Sequence, residues 1–265
     1  MIKLSIVILN YNTPELVYNC LKSIDGKLNC SFEIIIVDNG SESKVVEAEL
    51  KKILPNNNVK LLILEKNLGF GSGNNAGVEA ASGEILWLLN SDTLVPDESI
   101  NRAIEFLDQH SEIGVLSPLL YNDPEGKQFQ ADMYANFQTV ATLISRKARN
   151  ELKNDQDFFE TDVVVGGSML MKKELFNKVG GFDQKIFMFM EDDDLCYRIK
   201  KMRYKIGIFN QAKIIHLQGK SISKNTNRKK MYYNSQNYFW QKNYGFWPAL
   251  IMRLIRLPYK ILKTH

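Results

Sequence analysis

The stretch Leu4-Ser5-Ile6-Val7-Ile8-Leu9 is followed directly by Asn10-Tyr11-Asn12-Thr13-Pro14. The first part is a short, β-branched-rich apolar run, which predicts a buried strand, and the polar part predicts a loop. Apolar residues then recur at helical spacing from Leu16 to Ile24, so a helix follows. A buried strand, a polar loop and an amphipathic helix together form the repeating unit of an α/β fold.

The same unit recurs in the first part of the chain. Apolar runs at Phe32–Val37, Val59–Leu64 and Ile85–Leu89 predict further strands, with helices expected to about Leu54 and through Ala80. Because helical crossovers usually connect parallel strands, we expect a mostly parallel, Rossmann-like sheet flanked by helices. Ligands of such sheets bind in the loops beyond the carboxyl ends of the strands, which is where the polar segments lie.

Beyond Asp97 the alternation weakens. Residues 121–160 are polar and irregular, which is typical of a loop near a binding site or of a variable surface segment. A second ordered block runs from Val163 to Leu217. The expected division is a domain over 1–224, with halves at about 1–97 and 98–224, and a basic, helical tail over 225–265.

Charge is distributed unevenly along the chain. The last acid is Asp194, and the 71 residues after it (265 − 194) hold 16 Lys and Arg, which leaves 18 basic against 30 acidic residues before them. A basic C-terminal part suggests a polyanionic partner, namely a membrane surface, a lipid pyrophosphate or a nucleic acid. Solvated lysines are the alternative explanation.

The location of the protein is predicted from what the sequence lacks. It has no signal-peptide pattern at its start and no uninterrupted apolar run of about 18 residues, the length of a membrane-spanning helix. Its three cysteines have no CxxC spacing, so neither a disulfide framework nor a structural zinc site is indicated. A reducing cytoplasm is therefore expected.

Asn90-Ser91-Asp92-Thr93 follows the fourth predicted strand directly. Asp92 would project into the ligand crevice, where one carboxylate can suffice for Mg²⁺ or Mn²⁺ because substrate phosphates and water complete the coordination. A polar turn that only ends the strand is the alternative.

Glu191-Asp192-Asp193-Asp194 stand just before a helix-like stretch. Adjacent carboxylates raise one another's pKa, so one of them could accept a proton in catalysis. Asp193 or Asp194 could instead cap the helix and complement its dipole.

His216 ends an apolar run, as either a hydrogen-bonded structural residue or a metal ligand or base. The glycine-rich segment at residues 65–77 allows close backbone approach to a ligand and offers free helix amides to an anion. Its spacing is not that of a dinucleotide fingerprint, so a nucleoside diphosphate fits better than NAD.

Taken together, these motifs resemble the inverting family-two glycosyltransferases with a GT-A fold, and most closely their bacterial rhamnosyltransferase-type members. The resemblance covers roughly Ser5 to Ser221. The matching stretches are SIVILNYN, VDNGS, EKNLGFGSGNNAG, LLNSDT, GGSMLMKKELFNKVGGFD, FMEDDDLCYR and HLQGKS.

The resemblance implies a donor site and a metal. Asn12 and Asp38 would flank the nucleoside base, and Asp92 would be the second acid of a DxD motif whose first position is here Asn90. His216 would be a further ligand of Mn²⁺ or Mg²⁺. The full set expected to bind the nucleotide sugar is Asn10, Tyr11, Asn12, Asp38, Asn67, Gly69, Asn74, Asn75, Asn90 and Ser91.

The resemblance also implies an acceptor site. Asp192 would be the catalytic base that deprotonates the acceptor hydroxyl, with Glu191 as the runner-up. Gly166, Gly167 and Asp193 would lie on the acceptor side.

The expected activity is transfer of a sugar, with rhamnose a candidate, from a dTDP- or UDP-linked donor to a saccharide or polyprenyl-diphosphate-linked acceptor of a bacterial surface polysaccharide. A sugar-phosphate nucleotidyltransferase and a non-catalytic binder of membranes or nucleic acid are the alternatives. No nucleic-acid partner is expected in the favoured interpretation.

The tail would place the enzyme at the cytoplasmic face of the cell membrane, because its apolar and basic residues suit an interfacial helix. A core-packed or dimer-forming helix explains the apolar residues equally well. The apolar residues are Trp247, Leu250, Ile251, Leu254, Ile255 and Leu262, and the interspersed cations are Arg253, Arg256, Lys260 and Lys263.

Overall fold

The computed structural model describes residues 2–42, 44–52, 58–123, 125, 134–135, 156–217 and 228–262. Its strands are β1 (Leu4–Asn10), β2 (Phe32–Asp38), β3 (Val59–Ile63), β4 (Ile85–Asn90), β5 (Thr93–Leu94), β6 (Ile113–Tyr121), β7 (Tyr134–Ala135), β8 (Phe158–Thr161), β9 (Val163–Val164), β10 (Ser168–Lys172) and β11 (Lys205–His216). Its helices are α1 (Pro14–Ile24), α2 (Lys44–Lys52), α3 (Phe70–Glu79), α4 (Ile100–Gln109), α5 (Lys173–Val179), α6 (Glu191–Lys201), α7 (Arg228–Tyr244) and α8 (Phe246–Leu262).

The N-terminal half of the sheet is parallel, with β3, β2, β1 and β4 lying side by side. β1 and β4 are almost completely buried, as expected for strands covered by helices on both faces. The register places Asn10 opposite Asp38, so the polar ends of β1 and β2 are neighbours. The predicted α/β class, with helices flanking a central sheet, is confirmed.

The other half of the sheet is mixed. β10 pairs antiparallel with both β4 and β6, whereas β6 and β11 are parallel. β5 and β8 add antiparallel partners to β11, and β7 pairs separately with β9. The apolar pattern of these strands predicts burial but carries no information on strand direction, so the mixed half was not anticipated.

Helix α3 begins at Phe70, so Gly71, Gly73 and Gly77 of the glycine-rich segment lie in the helix. The reason is close packing on the sheet. A Cβ at Gly77 would come within 2.4 Å of Val7 Cγ1 and 2.8 Å of Val37 Cγ2. Gly77, together with Gly73 against Leu9, lets α3 lie directly on β1 and β2, whereas Gly71 allows close contact with Phe182.

The C-terminal helices α7 and α8 pack against each other and against the body. A small apolar core joins Met190, just before α6, to Phe239 and Trp240 of α7 and to Ala249 and Met252 of α8. Among the described helices, none is both long and apolar enough to cross a membrane.

Some sequence expectations concern other parts of the chain. Most of the 121–160 segment, the 218–221 part of the HLQGKS stretch and the 224/225 boundary lie outside the described residues.

Candidate active site

The polar loops of the first two strands form one hydrogen-bonded wall. Asn10 Nδ2 donates to Asp38 Oδ1 at 2.9 Å, and both residues are buried. Ser41 joins them: its hydroxyl donates to Asp38 and accepts the backbone N–H of Asn12 at 2.9 Å. Asn12 has a φ of 59° and accepts the N–H of Glu42. The predicted base-binding residues are therefore brought together.

Asn39, which sequence reasoning missed, orders the glycine-rich segment. Its Nδ2 donates to Asn67 Oδ1 at 3.0 Å and to Gly69 O at 3.1 Å. Its Oδ1 accepts the N–H of Leu68 at 3.0 Å. The only available signal was its place in the VDNGS stretch, directly after Asp38.

Position 69 requires glycine for two reasons, its backbone conformation and the close approach of Phe187. Its φ is 86°, and a Cβ there would lie 2.1 Å from the carbonyl oxygen of Phe187. That same oxygen accepts the N–H of Phe70 at 2.9 Å. The start of α3 is thus in direct backbone contact with the segment that leads into α6.

The two asparagines of α3 make internal hydrogen bonds. Asn74 Nδ2 donates to Phe70 O at 3.0 Å, one helical turn earlier. Asn75 uses both ends of its amide on the backbone of Phe182, at 2.9 Å each. Asn75 therefore connects α3 to the chain before α6.

The expected metal ligands meet at the ends of β4 and β11. His216 Nε2 lies 3.3 Å from Asp92 Oδ1, and the two side chains are 10% and 1% exposed. Asn90 Nδ2 is 3.4 Å from the same imidazole nitrogen. Ser91, between them, is buried.

The corner formed by Asp92 and His216 presents two side chains of types that ligate divalent ions. No group of three or more His, Cys, Asp or Glu side chains suited to a metal occurs among the residues described. One carboxylate and one imidazole that converge within 3.3 Å leave several coordination positions, which substrate phosphates and water usually fill. The donor set suits an ion that binds together with a diphosphate.

All four acids of the 191–194 run lie in the first turn of α6. The capping position is occupied by Met190, so neither Asp193 nor Asp194 is the N-cap, although both complement the helix dipole. Asp194 has no exposed side-chain surface and pairs with Arg198 and Lys242 at 2.7 Å each. Asp193 is also buried.

Asp192 is held at the edge of the site. Its Oδ2 accepts the N–H of Gly166 at 3.2 Å, and its Oδ1 accepts the N–H of Asp193 at 2.9 Å. The two residues before α6, Phe189 and Met190, have φ values of 67° and 69°. Consecutive left-handed residues are unfavourable in isolation and are maintained only by the surrounding structure, as is frequent beside functional sites.

Gly166 and Gly167 lie between the acid run, residues 191–194, and the corner formed by Asn90, Asp92 and His216, where the metal is expected and which is here termed the metal corner. Gly166 contacts Asp192, and a Cβ at Gly167 would lie 2.9 Å from the imidazole of His216. Gly167 O also accepts the N–H of Asn90 at 3.1 Å. Because adjacent Cα atoms are only about 3.8 Å apart, the residue that contacts Asp192 and the residue that approaches His216 are direct neighbours.

Tyr11 differs from the other predicted residues in its contact. Its hydroxyl donates to Glu42 Oε1 at 3.0 Å, at the exposed side of the loop wall. It follows Asn10 in sequence, but its hydrogen bond is exposed, whereas the bond between Asn10 and Asp38 is buried.

Comparison with curated proteins finds relatives whose names describe sugar transfer. The chain is 24% identical to the low-salt glycan biosynthesis hexosyltransferase Agl10 of Haloferax volcanii, over 91% of this chain and 75% of that protein. It is 22% identical to the N-acetylglucosaminyl-diphospho-decaprenol L-rhamnosyltransferase of Mycobacterium tuberculosis, over 96% of this chain and 89% of that one.

Among solved structures, GalNAc-T7 with UDP, GalNAc and Mn²⁺ superposes with a TM-score of 0.68 at 17% identity. The match covers 92% of this chain and 51% of that chain, so the present chain spans about half of its length. At this identity the likeness shows the fold, and the fold is GT-A.

Two family profiles match the sequence. The profile described as N-terminal domain of galactosyltransferase matches residues 155–220, which include Asp192 and His216. The profile of glycosyl transferase family 2 matches residues 5–180, more than half of the chain and all of the predicted donor side. With this match, the chain belongs to glycosyl transferase family 2.

Proposed function

We propose that the protein is an inverting, metal-dependent glycosyltransferase that moves a hexosyl group, with rhamnose the first candidate, from a dTDP- or UDP-linked donor. The acceptor is a saccharide or a polyprenyl-diphosphate-linked saccharide of a bacterial surface polysaccharide. The observation that carries the proposal is the Gly166-Gly167 pair, which contacts Asp192 on one side and the imidazole of His216 on the other. A proton acceptor and a diphosphate-binding corner then face the same substrate.

Asp92 and His216 would hold the divalent ion, Mn²⁺ or Mg²⁺. Bound there, the ion would supply Lewis-acid neutralisation of the charge on the leaving diphosphate. The burial of the Asp92 carboxylate strengthens its electrostatic attraction to a cation. The solved GalNAc-T7 structure, which has a similar fold, is described as a complex with Mn²⁺.

The donor would lie along the loop wall and the start of α3. Asn10, Asp38 and Asn12 form the part proposed for the nucleoside. Asn39 fixes the Asn67 to Gly69 backbone, whose glycine permits close approach of the phosphates. Tyr11, Asn74, Asn75, Asn90 and Ser91 complete the proposed donor set, within a donor half of about 1–97.

Asp192 would act as the base. Its Oδ2 accepts the Gly166 N–H, which supports a fixed orientation of the carboxylate that would take the proton of the acceptor hydroxyl. The acceptor oxygen then bonds to the anomeric carbon from the face opposite the diphosphate, and the bond from that carbon to the diphosphate oxygen breaks. Glu191 remains the alternative base, and Gly166, Gly167 and Asp193 the acceptor-side residues.

The test is a panel of dTDP-, UDP- and GDP-sugars with N-acetylglucosaminyl-diphospho-polyprenol and free saccharides in Mn²⁺, read by nucleoside diphosphate release. NMR of the product then gives its anomeric configuration. We expect one donor to support transfer with inversion, and Asp92→Asn to abolish it. The matched control is Asp97→Asn, an acid that pairs with Lys213 on the surface. Retention of configuration, or equal loss in both variants, would contradict the proposal.

A membrane location is proposed from the exposed side of α8. Trp247, Ile251 and Leu254, at spacings of four and three, are 72%, 53% and 54% exposed, whereas Ala249 and Met252 are buried against the body. The helix carries Arg253, Arg256 and Lys260 and no acid. Exposed apolar residues together with cations on one helix are typical of binding to an anionic lipid surface.

Flotation with vesicles of anionic phosphatidylglycerol and of neutral phosphatidylcholine tests this location. We expect binding to the anionic vesicles, weakened by salt and by the double change Trp247→Ser with Ile251→Ser. Tyr18→Ser is the control, because Tyr18 is a 47% exposed aromatic on another helix. A concentration-dependent dimer without vesicle binding would assign the stripe to a second copy and overturn the membrane proposal.

A further inference from the structure

The segment between Phe182 and Met190, here termed the strap, connects the donor side to the acid run. At its start the backbone of Phe182 is held by Asn75, and further on Phe187 O accepts the N–H of Phe70. At its end are the left-handed residues Phe189 and Met190, after which α6 begins. The position of Asp192 therefore depends on how the strap is held.

Helix α7 holds the strap from the other side. Lys242 Nζ lies 2.6 Å from Asp183 Oδ2, at the beginning of the strap, and 2.7 Å from Asp194 Oδ1, in the first turn of α6. Ser235 donates to the carbonyl of Met188 at 2.7 Å. One lysine thus bridges the beginning of the strap and the first turn of α6, and one serine holds the strap at Met188.

The two carboxylates that Lys242 binds, Asp183 and Asp194, accept hydrogen bonds from further donors. Asp183 also accepts the hydroxyl of Tyr238 at 3.0 Å, and Asp194 accepts Asn243 Nδ2 at 3.1 Å. Burial raises the pKa of the Tyr238 hydroxyl, and its hydrogen bond to Asp183 raises it further, to about 12. Tyr238 therefore remains a donor throughout the physiological range.

Arg198 of α6 binds Asp194 and the backbone just before the strap. Its Nε donates to Asp194 Oδ2 at 2.7 Å, and its terminal nitrogens donate to Val179 O and Gly181 O at 2.8 and 2.7 Å. The buried carboxylate of Asp194 is thereby compensated by two cations. Removal of one cation would leave a poorly compensated buried charge two residues from Asp192.

We propose that Lys242 of α7 is a positioning residue for the acceptor base, so that the C-terminal helices are part of the catalytic apparatus. The inference rests on the proposed role of Asp192. In the contacts described, Lys242 touches neither the wall formed by the loops after β1 and β2 nor the metal corner. It acts through Asp183 and Asp194. Its loss would let the strained strap relax and move the carboxylate of Asp192 relative to Gly166.

The test compares Lys242→Met and Lys242→Arg with wild type, together with Lys229→Met, an exposed lysine of the same helix. We expect Lys242→Met to lower kcat about 10- to 100-fold, since misplacement by about 1 Å can cost that much, while the donor Kd stays within about twofold. Lys242→Arg should recover most of kcat, and Lys229→Met should match wild type. The assays are run well below the midpoint temperature of thermal unfolding of each variant, so that a lower kcat does not reflect loss of folded protein.

Ser235→Ala provides a second variant that removes a single hydroxyl. It should lower kcat with an unchanged donor Kd, to a smaller extent than Lys242→Met. An unchanged kcat in folded Lys242→Met or in Ser235→Ala, or a parallel change in donor Kd, overturns the inference. If Asp192→Asn keeps full activity, the proposed base is wrong; if Asp192→Asn is inactive and Lys242→Met is fully active, only the positioning role is wrong.

Discussion

The change Gly167→Ala should disable the metal corner without replacing any proposed ligand. The new Cβ would lie 2.9 Å from both Cε1 and Nδ1 of His216, whereas ordinary carbon contacts lie at about 3.5–4.0 Å. The imidazole must therefore move by roughly 0.5–1 Å. Its partner, Asp92 Oδ1, is 3.3 Å from Nε2, so such a movement alters the geometry that both ligands present to a shared ion.

The expected size of this effect follows from that displacement. Misplacement of a reacting group by about 1 Å can lower a rate about 100-fold, so we expect kcat to fall between about 10- and 100-fold. Mn²⁺ titration with nucleoside diphosphate present, followed calorimetrically, should show weaker binding of the ion. Both measurements are made on the same preparation.

Gly26→Ala is the control for a loss of stability alone. Gly26 has a φ of 67° and nothing within 4 Å of an added Cβ, so alanine there strains the backbone but reaches no side chain. It should lower the unfolding temperature while leaving Mn²⁺ affinity unchanged. Wild-type kcat and Mn²⁺ affinity in Gly167→Ala would refute the placement of the metal at His216 and Asp92.

Three further predictions concern the rest of the chain. Burial opposes ionisation of Glu33, but hydrogen bonds from Lys60, Ser82 and Ser5 outweigh it and lower its pKa from 4.5 to about 2. Glu33→Gln should therefore lower the free energy of unfolding at pH 7, measured in urea, by on the order of 2 kcal/mol. This difference from wild type should shrink as pH falls from 4.5 towards 2. Burial raises the pKa of the Cys20 thiol to about 12 and that of Cys196 still higher, so a thiol reagent should label one site, Cys30, in the native protein and all three in denaturant; fast labelling of a second site would contradict the packing. Gly69→Ala, with a Cβ 2.1 Å from Phe187 O, should weaken binding of the nucleoside diphosphate in calorimetry, whereas Gly26→Ala should not.

Much of the fold was predictable because its signals are local. The runs at β1, β2 and β4 are apolar throughout, and each is followed by polar residues, so strand, loop and edge could be placed from neighbouring residues alone. The pairing of Asp92 with His216, 124 positions apart in sequence (216 − 92), came instead from the order of motifs in a family resemblance.

The contacts that sequence reasoning missed are long-range and polar. Asn39 bonds to residues 28–30 positions away, and Lys242 to residues 48 and 59 positions away. Side-chain hydrogen bonds of this range leave no periodicity in the sequence. For the same reason Asp194 could be interpreted as a helix cap, although its partners are Arg198 and Lys242.

The C-terminal tail shows a similar limit. Its apolar and basic residues predicted an amphipathic helix, and over residues 246–255 of α8 Ala249 and Met252 are buried whereas Trp247, Ile251 and Leu254 are exposed. The burial of Phe239 and Trp240 of α7 against Met190 depends on where the body places that methionine, which the tail sequence does not encode.

The single-turnover transfer rate of Asp192→Asn, at saturating donor and acceptor, tests the assignment of the base most directly. Asn keeps the shape of the side chain and can still accept from Gly166, but it cannot take a proton. We expect the rate to fall about 10²- to 10⁴-fold, with the donor Kd unchanged. A rate equal to that of wild type, with Glu191→Gln inactive, would show that the neighbouring acid is the base and that Asp192 is not.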